Sequence, residues 1–199
     1  MKVISIMSQK GGVGKTTLSI NLAVAAEKEG ESVIILDLDP QTDATDWSDY
    51  RGSNSPIVES IQPKSLFKCL NICRGLGADL VIVDTARHSE SDAFLLARQS
   101  DLILIPCRPA ILDLRGIQSS VDLANLLKKK YMVILNCVPP KGSLPKESEQ
   151  ALKEIGVNVC NITIGNRAAF IHSTTQAESV LEYEPKGKAS KEIENLYFL

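Results

Sequence analysis

The sequence predicts an α/β fold in which a mostly parallel sheet is covered by helices on both faces. Three observations support this fold class. Apolar runs of strand length alternate along the chain with segments of helical spacing. Near the N-terminus a strand, a glycine-rich loop and a helix follow one another in that order. The length of 199 residues and the apolar content of 44% fit one domain, 1–199, that buries a sizeable core.

The individual elements follow from local periodicity and turn-forming residues. Strands are predicted at residues 3–7, 33–36, 79–85, 101–106, 131–136 and 157–164. Helices are predicted at residues 18–29, 66–76, 112–130 and 148–155, and Ile193, Leu196, Tyr197 and Leu199 fit a closing helix packed on the core. Residues 42–63 contain a cluster of turn-forming side chains, which predicts a loop-rich surface segment.

Charge and cysteine usage restrict the classes of protein that the chain can belong to. The net charge is −2 and the pI is about 5.8, so DNA binding would need a local basic patch. The five cysteines show no Cys-x-x-Cys spacing, which indicates free thiols in a reducing cytosol. His88 and His172 lack metal-ligand spacing. With no signal peptide and no apolar run near the roughly 18 residues of a membrane span, a cytoplasmic protein is expected.

Residues 8–17 read Ser-Gln-Lys-Gly-Gly-Val-Gly-Lys-Thr-Thr and lie between the first predicted strand and the first predicted helix. A phosphate-binding P-loop requires this context. Glycines let backbone N–H groups turn inward, and these groups form an anion site with the helix N-terminus. Lys15 is predicted to reach the phosphates and Thr16 to bind Mg²⁺. The predicted nucleotide-binding residues of the loop are Gly11, Gly12, Val13, Gly14, Lys15, Thr16 and Thr17.

Three acidic residues follow predicted strands. Asp37 and Asp39 are two apart on an extended segment after the second strand, so both side chains point the same way. At the end of a buried strand beside a P-loop, they can address Mg²⁺ and the attacking water. The alternative for Asp39, which precedes a proline, is a turn cap. Asp84 ends the third apolar run and has the Walker B form, an acid beside the P-loop threonine.

The glycine loop also carries the resemblance to a known family. Gln9 stands where the usual P-loop has its first glycine, and Lys10 follows it. The pattern Lys-Gly-Gly-Val-Gly-Lys-Thr-Thr resembles the deviant Walker A motif of the ParA/MinD family of ATPases. The resemblance implies a P-loop NTPase fold, ATP and Mg²⁺ as ligands, and an ATP-bound homodimer. It also implies that Lys10 reaches the partner's ATP, as an arginine finger does. An ordinary solvated loop lysine is the alternative.

Other segments extend the resemblance and imply further roles. The sequence Asp-Leu-Asp-Pro-Gln at 37–41 resembles the family's switch I motif, in which Asp39 orients the water. Asp37, and Asp84 likewise, would support the metal through water. Residues 106–109 and the following Asp113 resemble the proline loop near the nucleotide, which makes Pro109 a nucleotide contact. Asn136 is placed as a base contact, since an amide can pair with an adenine edge.

The switch II region departs from the family pattern. Ala86, Arg87 and His88 follow Asp84, where the family often has proline or glycine. Arg87 is either a contact to phosphate or to the partner subunit, or a solvated loop arginine.

The C-terminal region resembles that of small partition ATPases. This resemblance implies DNA contacts from basic residues at 165–191, with Arg167 the first candidate and Lys186 and Lys188 next, followed by Lys191. For each lysine the alternative is a solvated surface charge.

The expected function is ATP-driven DNA partition. The resemblance is to small ParA-type proteins that lack an N-terminal helix-turn-helix domain. It implies an ATP-dependent dimer, nucleoid-associated in the cytoplasm, that binds DNA non-specifically and is reset by hydrolysis that a ParB-like adaptor stimulates. No stable membrane association is expected, because the tail mixes lysine with glutamate. The alternatives are a MinD-like membrane-surface positioning ATPase and a metabolic P-loop enzyme acting on a small molecule.

Overall fold

The computed structural model describes residues 1–86 and 90–199, so the Arg87 and His88 considered above lie outside the described residues. Within these ranges six strands form one sheet in the order β3-β2-β4-β1-β5-β6, and every pairing is parallel. The strands are β1 (Lys2–Ile6), β2 (Val33–Asp37), β3 (Ile57–Ser60), β4 (Leu80–Asp84), β5 (Leu102–Cys107) and β6 (Lys130–Leu135). Both β2 and β4 are buried along their whole length, as strands covered on two faces must be.

Helices connect the strands and cover both faces of the sheet. They are α1 (Lys15–Lys28), α2 (Asp43–Tyr50), α3 (Leu66–Gly75), α4 (Glu90–Gln99), α5 (Ile111–Gly116), α6 (Gln118–Leu126), α7 (Leu144–Glu154), α8 (Ala168–Thr175), α9 (Val180–Tyr183) and α10 (Lys188–Tyr197). One core contains apolar residues of α3, α4, α6 and α7, and the other contains residues of α1, α9 and α10. The predicted α/β fold class is therefore confirmed.

The register of the sheet sets the position of the predicted acidic residues. Asp37 at the end of β2 is the direct neighbour of Asp84 at the end of β4, and Asp84 pairs with Ile6 at the end of β1. All three strands are parallel, so their carboxyl ends lie at one edge of the sheet. The glycine loop leaves β1 at the same edge.

Several predicted segments differ from the structure. Residues 42–63, predicted as loop-rich, contain α2 and the edge strand β3. The strand predicted at 157–164 is wrong, because only isolated bridges join this region to β6 and its continuation. Cys160 N donates to Val133 O, and the next backbone bond from this segment to β6 is from Ile164 N to Leu135 O. The residues between Cys160 and Ile164 therefore form no regular hydrogen-bond ladder with β6. The amide of Ile162 donates instead to Cys160 Sγ at 3.3 Å.

The helix predicted at 112–130 is two helices, and Lys130 belongs to β6. The break follows Gly116, the last residue of α5, and the aliphatic chain of Lys10 occupies the space of its missing Cβ. Lys128 ends this segment with a left-handed φ of 53°.

The predicted closing helix is α10. Its residues Ile193 and Leu196 are buried against the core, whereas Leu199 lies past the helix and is exposed. All five cysteines are free thiols. A search of residues 1–86 and 90–199 finds no helix with the length and apolar character of a membrane span.

Candidate nucleotide-binding site

The glycine loop connects β1 to α1 and takes the backbone shape that its glycines permit. Gly12 and Gly14 have φ values of 67° and 86°, in the left-handed region that side chains rarely adopt. Gly14 precedes α1, and the carbonyl of Gly14 accepts the first helical bond, from Leu18 N at 3.0 Å. Lys15 is the first helical residue and is 8% exposed. The loop therefore presents a helix N-terminus and a lysine at the edge of the sheet.

This loop lines a cavity of about 620 Å³, the phosphate cavity. Its walls are Gly11, Gly12, Gly14, Lys15, Thr16, Thr17, Asp39, Pro40, Gln41, Asp43 and Ala86. The structure thus brings most of the predicted phosphate-binding residues together with Asp39. Asp39 N donates to Asp37 Oδ1, and Asp39 Oδ1 accepts from Gln41 N, both at 3.0 Å, so its second carboxylate oxygen is free of these local bonds. The cavity has cationic and hydroxyl groups on one wall and the carboxylates of Asp39 and Asp43 on another.

Asp37 supports the loop that carries Asp39. Its Oδ2 accepts from Thr45 N at 3.1 Å and from Thr45 Oγ1 at 3.0 Å, in the first turn of α2. Asp37 itself is buried. A buried carboxylate that accepts several hydrogen bonds fixes the groups around it, so Asp37 holds both the Asp39 loop and the start of α2. Its predicted contact to metal through water stays a prediction.

Asp84 differs from Asp37, because its buried carboxylate lacks hydrogen bonds of normal geometry. Neither of its oxygens has a hydrogen-bond partner among the described residues. Burial raises the pKa of Asp84 to about 7, and the charge of Asp37 adds to that effect. The hydroxyl groups of Thr16 and Ser19 and the charge of Lys15 act in the opposite direction. An unpaired buried carboxylate is costly unless a cation accompanies it.

The chemistry of this position fits Mg²⁺. Magnesium takes oxygen ligands and is usually held by one or two carboxylates together with phosphate oxygens and water. Asp84 and the Thr16 hydroxyl are the residues that would hold it. In the part of the chain that the structure describes, no group of three His, Cys, Asp or Glu side chains could hold a metal alone. A metal at this position would therefore depend on the phosphates.

A second cavity of about 310 Å³ shares Gly12, Gly14 and Thr17 with the first. Its remaining walls are Leu18, Asn136, Cys137, Ile164, Gly165, Asn166, Arg167, Phe170 and Ile171. Because the two cavities meet at the glycine loop, a ligand with phosphates in the first can extend a ring system into the second.

Asn136 is buried beside this second cavity, and its amide bonds to the protein. Nδ2 donates to Val13 O at 2.7 Å, and Oδ1 accepts from Cys137 N at 2.8 Å. Contact to a base through its remaining capacity stays a prediction. Pro109 is buried in the loop after β5 and is not among the described residues that line either cavity, so its contact to nucleotide is also untested.

Lys10 is not among the described residues that line the phosphate cavity. Its side chain is half-buried against Gly116, and Lys15 Nζ donates to its carbonyl oxygen at 3.4 Å. The action of Lys10 on a partner's nucleotide stays a prediction that a single chain does not test.

Arg167 makes an ion pair within the chain. Its Nε donates to Glu192 Oε2 at 3.0 Å, and its Nη2 contacts the other oxygen of the same carboxylate. The pair connects the start of α8 to α10 and offsets the positive charge of Arg167. Lys186, Lys188 and Lys191 are exposed. Of the predicted DNA contacts, the three lysines are therefore more available to bind phosphate than Arg167, the first candidate.

Sequence reasoning missed two residues of this site. Thr45 is bonded to Asp37, and Arg108 Nη2 donates to the carbonyl of Gly12. Thr45 gives no signal, since an isolated threonine in a polar segment is ordinary. Arg108 gives a weak one, because it is a cation in a proline-bounded turn immediately after a buried strand.

This chain is similar to several known proteins. Residues 4–180 match the family described as CobQ/CobB/MinD/ParA nucleotide binding domain. A maintenance of carboxysome distribution protein A from Gloeobacter kilaueensis is 31% identical over 203 residues, covering 98% of this chain and 90% of the relative. A chromosome-partitioning ATPase Soj from Thermus thermophilus is 55% identical over 141 residues, covering 66% of this chain and 56% of the relative. A McdA variant from Cyanothece, solved in complex with ATP, has the same fold, with a TM-score of 0.74, 16% identity and coverage of 98% of this chain and 95% of that chain.

Proposed function

Because the chain belongs to the CobQ/CobB/MinD/ParA family of P-loop ATPases, we propose that it is an ATP-driven partition switch. In this proposal an ATP-bound dimer binds DNA without sequence preference, and hydrolysis opens the dimer and releases the DNA. The observation that carries the proposal is the glycine loop with two lysines, Lys10 and Lys15, beside a cavity that also contains Asp39.

Each part of the cavity has a role in ATP hydrolysis. The backbone N–H groups of the loop and Lys15 bind the phosphates. Asp39, whose second oxygen is free of local bonds, places the attacking water. Asp84 and Thr16 would hold Mg²⁺, which neutralises phosphate charge when it is bound. The unpartnered oxygens of Asp84 support this assignment, since a cation would satisfy them.

Lys10 makes closure of the dimer depend on ATP. In the single chain its aliphatic part rests on Gly116, outside the phosphate cavity. When two subunits close face to face, the ammonium group of each would reach the phosphates of the other nucleotide. A trans-acting cation of this kind stabilises charge that develops in the transition state. Closure and hydrolysis are then linked through one side chain.

The DNA contacts would come from the exposed lysines of the C-terminal region, Lys186, Lys188 and Lys191. Contacts to phosphate carry no sequence information and weaken with salt, because binding releases counterions. A ParB-like adaptor that stimulates hydrolysis would reset the switch. One relative is named for chromosome partition and another for carboxysome distribution, so the cargo that is distributed can be DNA or a larger assembly.

The experiment is DNA binding with ATP, with ADP and without nucleotide, at two salt concentrations. We expect binding with ATP alone, strongest at low salt, and its loss in Lys10→Ala. The DNA binding of Arg167→Ala is compared with that of Lys186→Ala and Lys188→Ala. The comparison shows whether the DNA contacts come from the arginine that pairs with Glu192 or from the exposed lysines. Lys146→Ala, an exposed lysine on α7, is the control. If no nucleotide state binds DNA, direct DNA attachment is contradicted, and pelleting with anionic liposomes then tests the membrane-surface alternative.

A further inference from the structure

We infer that Arg108 and Asn136 are positioning residues that hold the phosphate loop in its anion-binding shape before the ligand arrives. The inference rests on the proposed nucleotide site and adds two residues that act on its phosphate loop rather than on the phosphates. Both follow neighbouring strands of the sheet at ends that are buried, Arg108 after β5 and Asn136 after β6. The two strand ends are joined to each other, since Asn136 N donates to Cys107 O at 2.8 Å.

The two side chains bond to consecutive peptide groups of the loop. Arg108 Nη2 donates to the carbonyl of Gly12. Asn136 Nδ2 donates to the carbonyl of Val13 at 2.7 Å. Neither Arg108 nor Asn136 is among the described residues that line the 620 Å³ cavity, whereas Gly11, Gly12 and Gly14 do line it. The two donors therefore bond to the loop without lining the phosphate cavity, although Asn136 lines the adjoining 310 Å³ cavity.

Fixing a carbonyl also fixes the N–H group of the same peptide. A trans peptide is planar and carries its C=O and N–H on opposite sides, and the cis bond found in the described chain is elsewhere, at Ser55–Pro56. Holding the carbonyls of Gly12 and Val13 outward therefore turns the N–H groups of Val13 and Gly14 toward the cavity. Successive N–H groups that converge in this way form an anion-binding nest.

This arrangement has a thermodynamic consequence. A loop with three glycines within four residues has many accessible backbone conformations, and ordering it on binding would cost conformational entropy. Bonds that already exist in the free protein remove that cost from the binding step. Asn136 is buried, and Cys137 N fixes the orientation of its amide. Gly14 completes the contact, because a Cβ there would overlap with Asn136.

Two other roles have to be separated from this one. Asn136 could act only on the base, and Arg108 could act only as a cation on the phosphates. Binding of inorganic tripolyphosphate distinguishes a role of Asn136 on the base from a role on the loop, since tripolyphosphate has the phosphates of ATP and no base. The dependence of binding on salt distinguishes a direct contact of Arg108 with the phosphates from its bond to the loop. Salt screens a direct charge contact, whereas it has little effect on a bond to a neutral carbonyl.

The experiment measures the dissociation constants of ATP and of tripolyphosphate, each with Mg²⁺, for the parent and for Arg108→Ala. We expect both ligands to be weakened by the same factor, roughly tenfold for one hydrogen bond, at low and at high salt. Asn136→Leu keeps the approximate size of the side chain and removes its donor without adding a charge, and we expect the same pattern for it. Arg98→Ala, an exposed arginine at the end of α4, is the matched control and should bind like the parent. Thermal unfolding shows whether each variant folds.

The outcomes are distinct. Arg108 is exposed, so Arg108→Ala should fold even if Asn136→Leu does not. Loss of ATP binding alone, with tripolyphosphate binding unchanged, would overturn the inference in favour of a base contact. A loss that disappears at high salt would overturn it in favour of a direct charge contact. If the parent binds neither ligand, the proposed nucleotide site fails, and this inference fails with it.

Discussion

Asp37 holds Asp39 in place. The amide of Asp39 donates to Oδ1 of Asp37 at 3.0 Å, while Oδ2 of the same carboxylate holds the first turn of α2 through Thr45. The carboxylate of Asp39 is thereby fixed at the wall of the phosphate cavity. In the proposed mechanism the position of the attacking water depends on this pair of aspartates.

Thr45→Val tests this dependence. The change keeps the shape and the backbone N–H bond but removes the hydroxyl bond to Asp37. We expect ATP turnover to fall severalfold, as the loss of about 1 kcal/mol of positioning would produce, while ATP affinity stays the same. Steady-state kinetics and equilibrium binding measure the two effects. Thr175→Val, whose hydroxyl bonds within an exposed part of α8, is the control. Equal loss of affinity and turnover would contradict this role.

Asp84 should make the ligand-free protein less stable as pH rises. Its pKa is raised from 3.8 to about 7. Between these values the folded state retains a proton that the unfolded chain has lost, so stability falls from about pH 4 to about pH 7. We expect Asp84→Asn to be more stable than the parent at pH 7.5 by up to about 4 kcal/mol, and close to it near pH 4.

Urea unfolding at the two pH values measures this difference, and Asp49→Asn, at an exposed position, is the control. A constant difference between Asp84→Asn and the parent at both pH values would show that Asp84 does not titrate in this range. The same variant should lose the effect of Mg²⁺ on nucleotide binding, because Asp84 would hold the metal.

Arg51 connects the end of α2 to the C-terminal part of the chain. Its guanidinium bonds to both carboxylate oxygens of Glu182 at 2.5 and 2.9 Å, donates to Ala177 O at 3.2 Å and lies 4.7 Å from the Trp47 ring centroid. The Arg51 side chain is only 10% exposed. We expect Arg51→Ala to lower the free energy of unfolding by about 2 kcal/mol, since it leaves Glu182 partly buried without its partner.

Denaturant unfolding measures this loss, and a second ion pair provides the comparison. Lys153 and Glu149 on α7 also approach within 2.5 Å, but their side chains are 57% and 32% exposed. An exposed pair of this spacing contributes about 0.3–0.5 kcal/mol, so Lys153→Ala should have a small effect. Similar losses in the two variants would show that burial does not set the strength of the Arg51 pair.

The sequence was sufficient for the parts of the fold with strong local signals. The alternating strands and helices, the glycine loop and the acid at the end of β4 each have a pattern that physical chemistry restricts to few structures. The edge strand β3 was missed because Ile57–Ser60 is short and follows a turn cluster, so its pairing with β2 is a tertiary effect. The apolar run at 157–164 was over-interpreted for the converse reason, since its residues lie beside β6 without a regular ladder.

The candidate site was predictable only in part. Spacing and context identify the residues that face a phosphate, but not those that hold the loop from behind. Arg108 and Thr45 act through single contacts between distant segments, which leave no periodic trace in the sequence. The pairing of Arg167 with Glu192 is likewise a contact across 25 residues that spacing could not reveal.

Mixing two inactive variants tests the central claim, that Lys10 of one subunit serves the nucleotide of the other. Lys10→Ala lacks the trans lysine but retains Asp39, and Asp39→Ala lacks the residue that places water but retains Lys10. Each variant alone should be inactive in ATP hydrolysis. In a mixed dimer one of the two sites is complete, so an equimolar mixture should recover about a quarter of parental turnover if subunits exchange freely in a symmetric dimer. No recovery, from variants that fold, bind ATP and form mixed dimers, would contradict the account.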